Sequence, residues 1–308
     1  MARLVILLAC GLLVLAQERP TFRSAARTVY IYATVQNKDG RLVTNLTRDD
    51  FEIFDNDQPQ AVTVFENDPQ KITMVLLFDM SGSMLKNLPR VREASVAFVH
   101  ALWADDRVRI GTFGEEVALS PILTNDKPTL LRILDEELWP GGSTPLWRSI
   151  QAGMNSLDGE SGRRVILTFT DGKNASLFAG GGSTEQGVSD SRRATLRRAE
   201  SGEFMIYAIG LHGTGLEDEM QAMAEETGGG HSLTKKDEDL GQTFARVVDE
   251  LHHQYVLGFS PQALDGRSHK LKVQTKQDGM KVRARKSYLA AADMGPGPGR
   301  RSPGEGGK

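Results

Sequence analysis

Asp79, Ser81 and Ser83 stand in the stretch MVLLFDMSGSM, an aspartate followed by two alternating hydroxyls at the carboxyl end of an apolar run. On a tight turn this D-x-S-x-S spacing offers one charged and two neutral oxygen donors to a single point. Such hard donors suit Mg²⁺ or Mn²⁺ and disfavour zinc, which prefers nitrogen and sulfur. Two more oxygen-bearing residues follow, Thr144 in PGGSTPLW and Asp171 in RVILTFTDGK, where the aspartate again closes an apolar run. The candidate metal ligands are therefore Asp79, Ser81, Ser83, Thr144 and Asp171. A plainer use of D-x-S-x-S is to cap the helix that follows, with Asp and Ser oxygens accepting from the free N–H groups of its first turn.

The elements around these residues decide which use is expected. TMVLLF before Asp79 and RVILTF before the T-D-G turn are short, continuous apolar runs, the pattern of central parallel strands buried on both faces. Loops at the carboxyl ends of such strands are where open α/β sheets place ligands. The order along the chain alternates strand and helix. Strand Thr73 to Phe78 precedes helix Pro89 to Leu102, and strands Arg107 to Phe113 and Val117 to Leu119 follow. Helix Lys127 to Leu138 leads to the Thr144 loop, and helix Leu146 to Leu157 to strand Arg164 to Thr170. Helix Ser191 to Glu200, strand Phe204 to Gly210, helix Glu217 to Thr227 and a last helix Asp237 to His253 complete the series. Such alternation gives a doubly wound, mainly parallel α/β sheet.

The five residues closely resemble the metal-ion-dependent adhesion site of von Willebrand factor type A domains, whose pattern is D-x-S-x-S, then a threonine, then an aspartate in T-D-G. The resemblance covers roughly Ile72 to Leu251 and matches at every position. It implies a Mg²⁺ or Mn²⁺ ion touched by the two serines and the threonine, with the aspartates often acting through water. It also implies a protein partner that presents a Glu or Asp side chain to that ion.

From Thr28 to Glu66 the pattern changes to alternating polar and apolar residues, with turns at Lys38-Asp39-Gly40 and Asn56-Asp57-Gln58. Alternation of this kind argues antiparallel strands, but the piece is too small to bury a good core alone. A similar pattern returns in QYVLGFSP, SHKLKVQTK and MKVRARKSYL. The two ends are thus expected to pair into one small antiparallel β-sandwich, with the α/β domain inserted between them. Asp39-Gly40, Leu46, Asp50-Phe51 and Asp55, with Tyr255, Leu257 and Phe259, resemble the terminal modules of an exported, acidobacterial-type group of type A domain proteins. The D-G expected in that pattern near Asp57 is replaced by Asp57-Gln58, which leaves the hairpin turn type open.

The organisation expected is a signal peptide over residues 1–16, a sandwich half over 28–70, the type A domain over 72–253, the second sandwich half over 254–289 and a disordered tail over 290–308. MARLVILLACGLLVLAQ has a short positive start, an apolar core and a small-residue cleavage site. Its apolar run is shorter than the ~20 residues of a membrane span. Cys10 in Leu7-Leu8-Ala9-Cys10 superficially resembles a lipoprotein box and offers lipid anchoring as an alternative to free secretion. Cys10 is the one cysteine of the chain, so no disulfide framework is expected in a secreted, periplasmic or envelope protein. The tail GPGPGRRSPGEGGK has no apolar residue to bury.

Of the 308 residues 39% are hydrophobic and 25% charged, with a net charge of -3. That balance does not suggest nucleic acid or an anionic membrane as partner. Other side chains carry less. His252 and His253 are adjacent, so on a helix they point about 100° apart and do not share a metal; a surface or domain-boundary role is expected. Trp139 and Trp147 flank the Thr144 loop as packing or rim residues, the Arg192 to Arg198 cations form a solvated helix face, and the glycine-rich stretch Asn174 to Val188 reads as a flexible insertion. H-E-x-x-H, G-x-S-x-G, the Walker P-loop and a Cys–His pair are missing from the sequence. The expectation is a metal-dependent, adhesion-type protein-binding module with no catalytic residue. A structural scaffold whose metal only stabilises loops is the main alternative, and a Mg²⁺-dependent hydrolase the weaker one.

Overall fold

A computed structural model describes residues 28–84, 87–136, 145–170, 185–211, 216–234 and 240–291. The expected signal peptide, the Cys10 box, Trp139 and most of the tail lie outside the described residues.

The N-terminal segment carries four strands, β1 Val29–Gln36, β2 Phe51–Asp55, β3 Gln58–Gln60 and β4 Val64–Glu66. The middle runs β5 Thr73–Asp79, α1 Leu88–Ala101, β6 Arg107–Phe113, β7 Val117–Leu119, α2 Lys127–Glu136, α3 Leu146–Ser156, β8 Arg164–Thr170, α4 Glu185–Gly202, β9 Phe204–Gly210, α5 Asp218–Glu226, β10 His231–Leu233 and α6 Leu240–His252. The C-terminal segment adds β11 Tyr255–Phe259, β12 Ser268–Thr275, β13 Lys281–Arg283 and β14 Ser287–Leu289.

The middle segment forms a six-stranded sheet in the order β10-β9-β8-β5-β6-β7, with β7 alone antiparallel. β5 lies at its heart with every residue buried. Alternate side chains serve opposite faces. Met74, Leu76 and Phe78 pack with α1, α2 and α6 through residues such as Phe98, Ile133 and Phe244. Val75 and Leu77 pack with α3, α4 and α5 through Ile150, Ala199 and Met223. This is the doubly wound sheet that the apolar runs predict.

The expected sandwich is also present. β1 and β4 flank β11, and β13 adds to β1; β2 and β14 flank β12, and β3 adds to β2. Both sheets therefore mix strands from the two ends of the chain, and they share one core containing Ile31, Ile53, Leu257 and Tyr288. The matched terminal residues meet there. The Phe51 and Tyr255 rings touch edge to face at 4.9 Å, and the Tyr255 hydroxyl donates to Val43 O and accepts from Leu46 N. Asp55 accepts from Tyr288 and pairs with His269. Asn56 and Asp57 both have positive φ, the two-residue type I′ geometry whose twist suits a hairpin, so Asp57-Gln58 keeps a tight turn without the glycine.

The structure differs from the expectations at three places. The helix expected from Ser191 begins at Glu185, so the last part of the expected glycine-rich insertion is helical; the Arg193–Asp190 ion pair one turn apart supports that early turn. β10 was not expected, because HSL is too short to show a period. His252, expected at a surface or a domain boundary, ends α6 just before the sandwich strand β11 but is buried: Nε2 meets Asp106 Oδ2 at 2.9 Å, and the ring stacks on Trp103 at 3.7 Å.

A buried polar relay joins the two layers. Arg163 donates to Gln254, whose amide donates to Thr34 and to the Tyr207 hydroxyl. Tyr207 in turn donates to Glu250, which also binds Arg283. Strands β1, β9 and β13 and helix α6 are thus pinned at one junction by hydrogen-bonded side chains.

Candidate metal centre

The central sheet fixes where a ligand site can form. After β5 the chain passes to β6 on one side and later returns to β8 on the other, so the carboxyl ends of β5 and β8 bound a topological switch point, the usual ligand crevice of such sheets. Asp79 ends β5 and Thr170 ends β8.

Asp79 is fully buried. Its Oδ1 accepts the Ser81 backbone N–H at 2.9 Å, an Asx-type turn that bends the chain out of the strand. Its Oδ2 accepts the Thr170 hydroxyl at 2.6 Å. The loop is anchored further by Met80 N donating to Phe113 O, which ties it to the end of β6, and by Met84 N donating to Ser81 O within a short 3-10 turn. Ser81 is itself buried beside this carboxylate. The two buried oxygen groups are held by three adjacent strands rather than by side-chain choice alone.

Of the five sequence-predicted ligands, the structure brings Asp79 and Ser81 together at this point. Thr144, Asp171 and the Ser83 side chain lie outside the described residues. Among the described residues no group of three or more His, Cys, Asp and Glu side chains is placed to hold a metal. The described donors fit a hard cation: one ionisable carboxylate and one hydroxyl loop, both oxygen. Because both carboxylate oxygens accept hydrogen bonds, Asp79 is suited to orient its neighbours and supply charge.

Thr170 was not singled out from the sequence. The signal available was its place as the last residue of a buried strand immediately before Asp171, where a hydroxyl must find a partner or stay unsatisfied. Trp147, by contrast, is a core residue of α3, in line with its reading as packing.

Fold and site together define an open α/β domain with buried oxygen groups at its switch point, inserted into an antiparallel sandwich. A family model described as the von Willebrand factor type A domain matches residues 73–246, and the chain belongs to that family. Domains of this family often act in protein–protein interaction or adhesion. Among solved structures, the conserved hypothetical protein BatB from Bacteroides thetaiotaomicron is similar at 16% identity, with 59% of this chain and 98% of that chain covered and a TM-score of 0.46. A von Willebrand factor type A protein from Catenulispora acidiphila is similar at 12% identity, covering 87% of this chain and 75% of that one, with a TM-score of 0.49. The vWF domain of the type V pili tip protein Mfa5 from Porphyromonas gingivalis is similar at 12% identity, covering 60% and 94%, with a TM-score of 0.42. No curated protein matches the chain. Among the described residues no helix is long and apolar enough to cross a membrane.

Proposed function

We propose that the chain is an exported, non-enzymatic protein-binding module whose crevice holds Mg²⁺ or Mn²⁺ and captures an acidic side chain of a partner protein. The observation that carries this reading is the buried Asp79 carboxylate at the switch point, held by Ser81 N–H and the Thr170 hydroxyl. In this reading the Ser81, Ser83 and Thr144 hydroxyls hold the ion, and Asp79 and Asp171 supply negative charge beside it. The bound ion would act as a Lewis acid with a position left for an incoming carboxylate.

Two carboxylates only balance the +2 charge, while hydroxyls add dipoles and no charge. The centre therefore stays electrophilic toward an anion. Asp79 contributes by fixing the turn that carries Ser81, and its own burial makes loss of either hydrogen bond expensive. In this reading residues 1–16 act as a signal peptide, and the protein works outside the cytoplasm, secreted or in the envelope.

Isothermal titration of the full chain with Mn²⁺ tests the centre. One site is expected, lost in Asp79→Ala; unchanged binding in that variant would remove the assignment. Thr144→Ala should weaken partner capture from an envelope extract by ~1–3 kcal/mol, the loss of one neutral ligand. EDTA should release the partner, whereas metal binding without metal-dependent capture would leave the scaffold role instead.

A further inference from the structure

A basic cleft lies on another part of the molecule. Between the β10 edge of the central sheet and the sandwich is a cleft of about 1100 Å³, with strands β8 and β9 separating β10 from β5. β10 ends its sheet and β13 ends its own, so each has one backbone edge with no strand beside it among the described residues. Both strands line the cleft, β10 through His231 and Ser232, β13 through Lys281 and Arg283.

The lining is strongly basic, with eight Lys and Arg side chains against three carboxylates. Those carboxylates are engaged already: Glu250 with Arg283, Glu225 with Lys286 and Asp249 with His253. Arg41, Lys272 and Lys281 are exposed and form no ion pair among the described residues. Deeper in, Arg285 is about nine-tenths buried and reaches Glu203 through one Nη at 3.4 Å, while its Nε, like that of Arg283, is buried with no acceptor. Burial holds the Arg285 guanidinium below its ordinary range, so an added anion would stabilise its charged form.

We propose that this cleft binds an acidic peptide segment in extended conformation, its backbone against the β10 or β13 edge and its carboxylates toward Arg41, Lys272, Lys281 and Arg285. Three features favour a peptide. The volume exceeds the usual ~300–1,000 Å³ of small-molecule pockets. Open strand edges offer main-chain pairing, the basis of β-strand addition. Leu42 and Val247 line the same cleft, so the alternating faces of a strand would meet cations on one side and apolar groups on the other. The site is independent of the metal centre.

The test is fluorescence anisotropy of a labelled peptide alternating Glu and Val, titrated with the full chain in EDTA so that the crevice is silent. Saturable binding is expected, weakening as salt rises. The exposed pair Lys272→Glu and Lys281→Glu should weaken it roughly tenfold or more, with the thermal transition unchanged. A peptide of the same sequence N-methylated on alternate amides should bind more weakly. Equal binding of the N-methylated peptide, or of inorganic polyphosphate with the same dependence on Lys272 and Lys281, would mean a general polyanion site and overturn the proposal. So would binding that survives the double charge reversal, or none at low salt.

Discussion

Thr170 Oγ1 donates to Asp79 Oδ2 at 2.6 Å, and this bond closes the gap between β5 and β8 at the point where the strand order reverses. It makes the geometry of the crevice depend on a residue that contributes no charge.

Thr170→Val keeps the shape and removes the donor. Mn²⁺ affinity should fall by roughly 10–100-fold, the usual cost of losing a group that orients metal ligands. Urea unfolding should show a loss of ~1.5–3 kcal/mol, because the buried carboxylate loses a charge-assisted bond. Affinity equal to wild type would reduce Thr170 to a packing role.

Asp106 should set an acid limb of stability. It is fully buried, which raises its pKa, but bonds from His252, Ile72 N and Trp103 N outweigh burial and hold it below the ordinary carboxylate value. Its contribution is therefore complete above the unfolded value near ~3.9 and is lost as pH falls through the lower folded value. Asp106→Asn should destabilise at neutral pH by ~1–3 kcal/mol and flatten the decline below about pH 4. Parallel acid titrations of both proteins, followed by urea midpoint, check it; equal slopes would refute the linkage.

Gly229 allows β10 to close on β9. A Cβ there would lie 1.8 Å from Ile206 O, a backbone atom that cannot rotate away. Gly229→Ala should lower stability by about 3 kcal/mol, at the upper end of overpacking costs, read by calorimetry. A change within error would mean that the edge strand moves freely.

The terminal segments should depend on each other. β1 pairs with β11 and β13, β4 with β11 and β2 with β12, so apart from the β2–β3 hairpin the N-terminal strands find their partners in the C-terminal segment. A fragment of residues 28–66 should show no cooperative unfolding transition, whereas residues 72–253 carry both faces of the central sheet core and should unfold cooperatively alone. A sharp transition in the short fragment would contradict shared ownership of the sandwich.

Much of this architecture was legible because burial on both faces leaves continuous apolar runs. Strands β6, β7, β8 and β9 begin and end where RVRIGTF, VAL, RVILTFT and FMIYAIG begin and end. The sandwich was legible from period two at both ends of the chain. What stayed hidden depends on contacts distant in sequence. β10 is three residues held by pairing with β9, and His252 becomes a core residue only because Asp106 and Trp103 fold over it. For the site, Asp79 and Ser81 could be read from their spacing, but Thr170 acquires its role only when β8 lies beside β5.

The two-ended sandwich also imposes an order in time. Val29 pairs with Phe259 and Phe51 with Thr275, so the first strands made are the last to be completed. Pairings so far apart in sequence close slowly, since loop-closure entropy is met before the contacts reward it. The central domain, whose strands and helices are neighbours along the chain, can form meanwhile. Strands β1 and β2 must wait with apolar faces and unpaired edges, a state prone to aggregation. A chain cut short before β11 would keep that state permanently, so the sandwich closes only over a protein that has arrived whole.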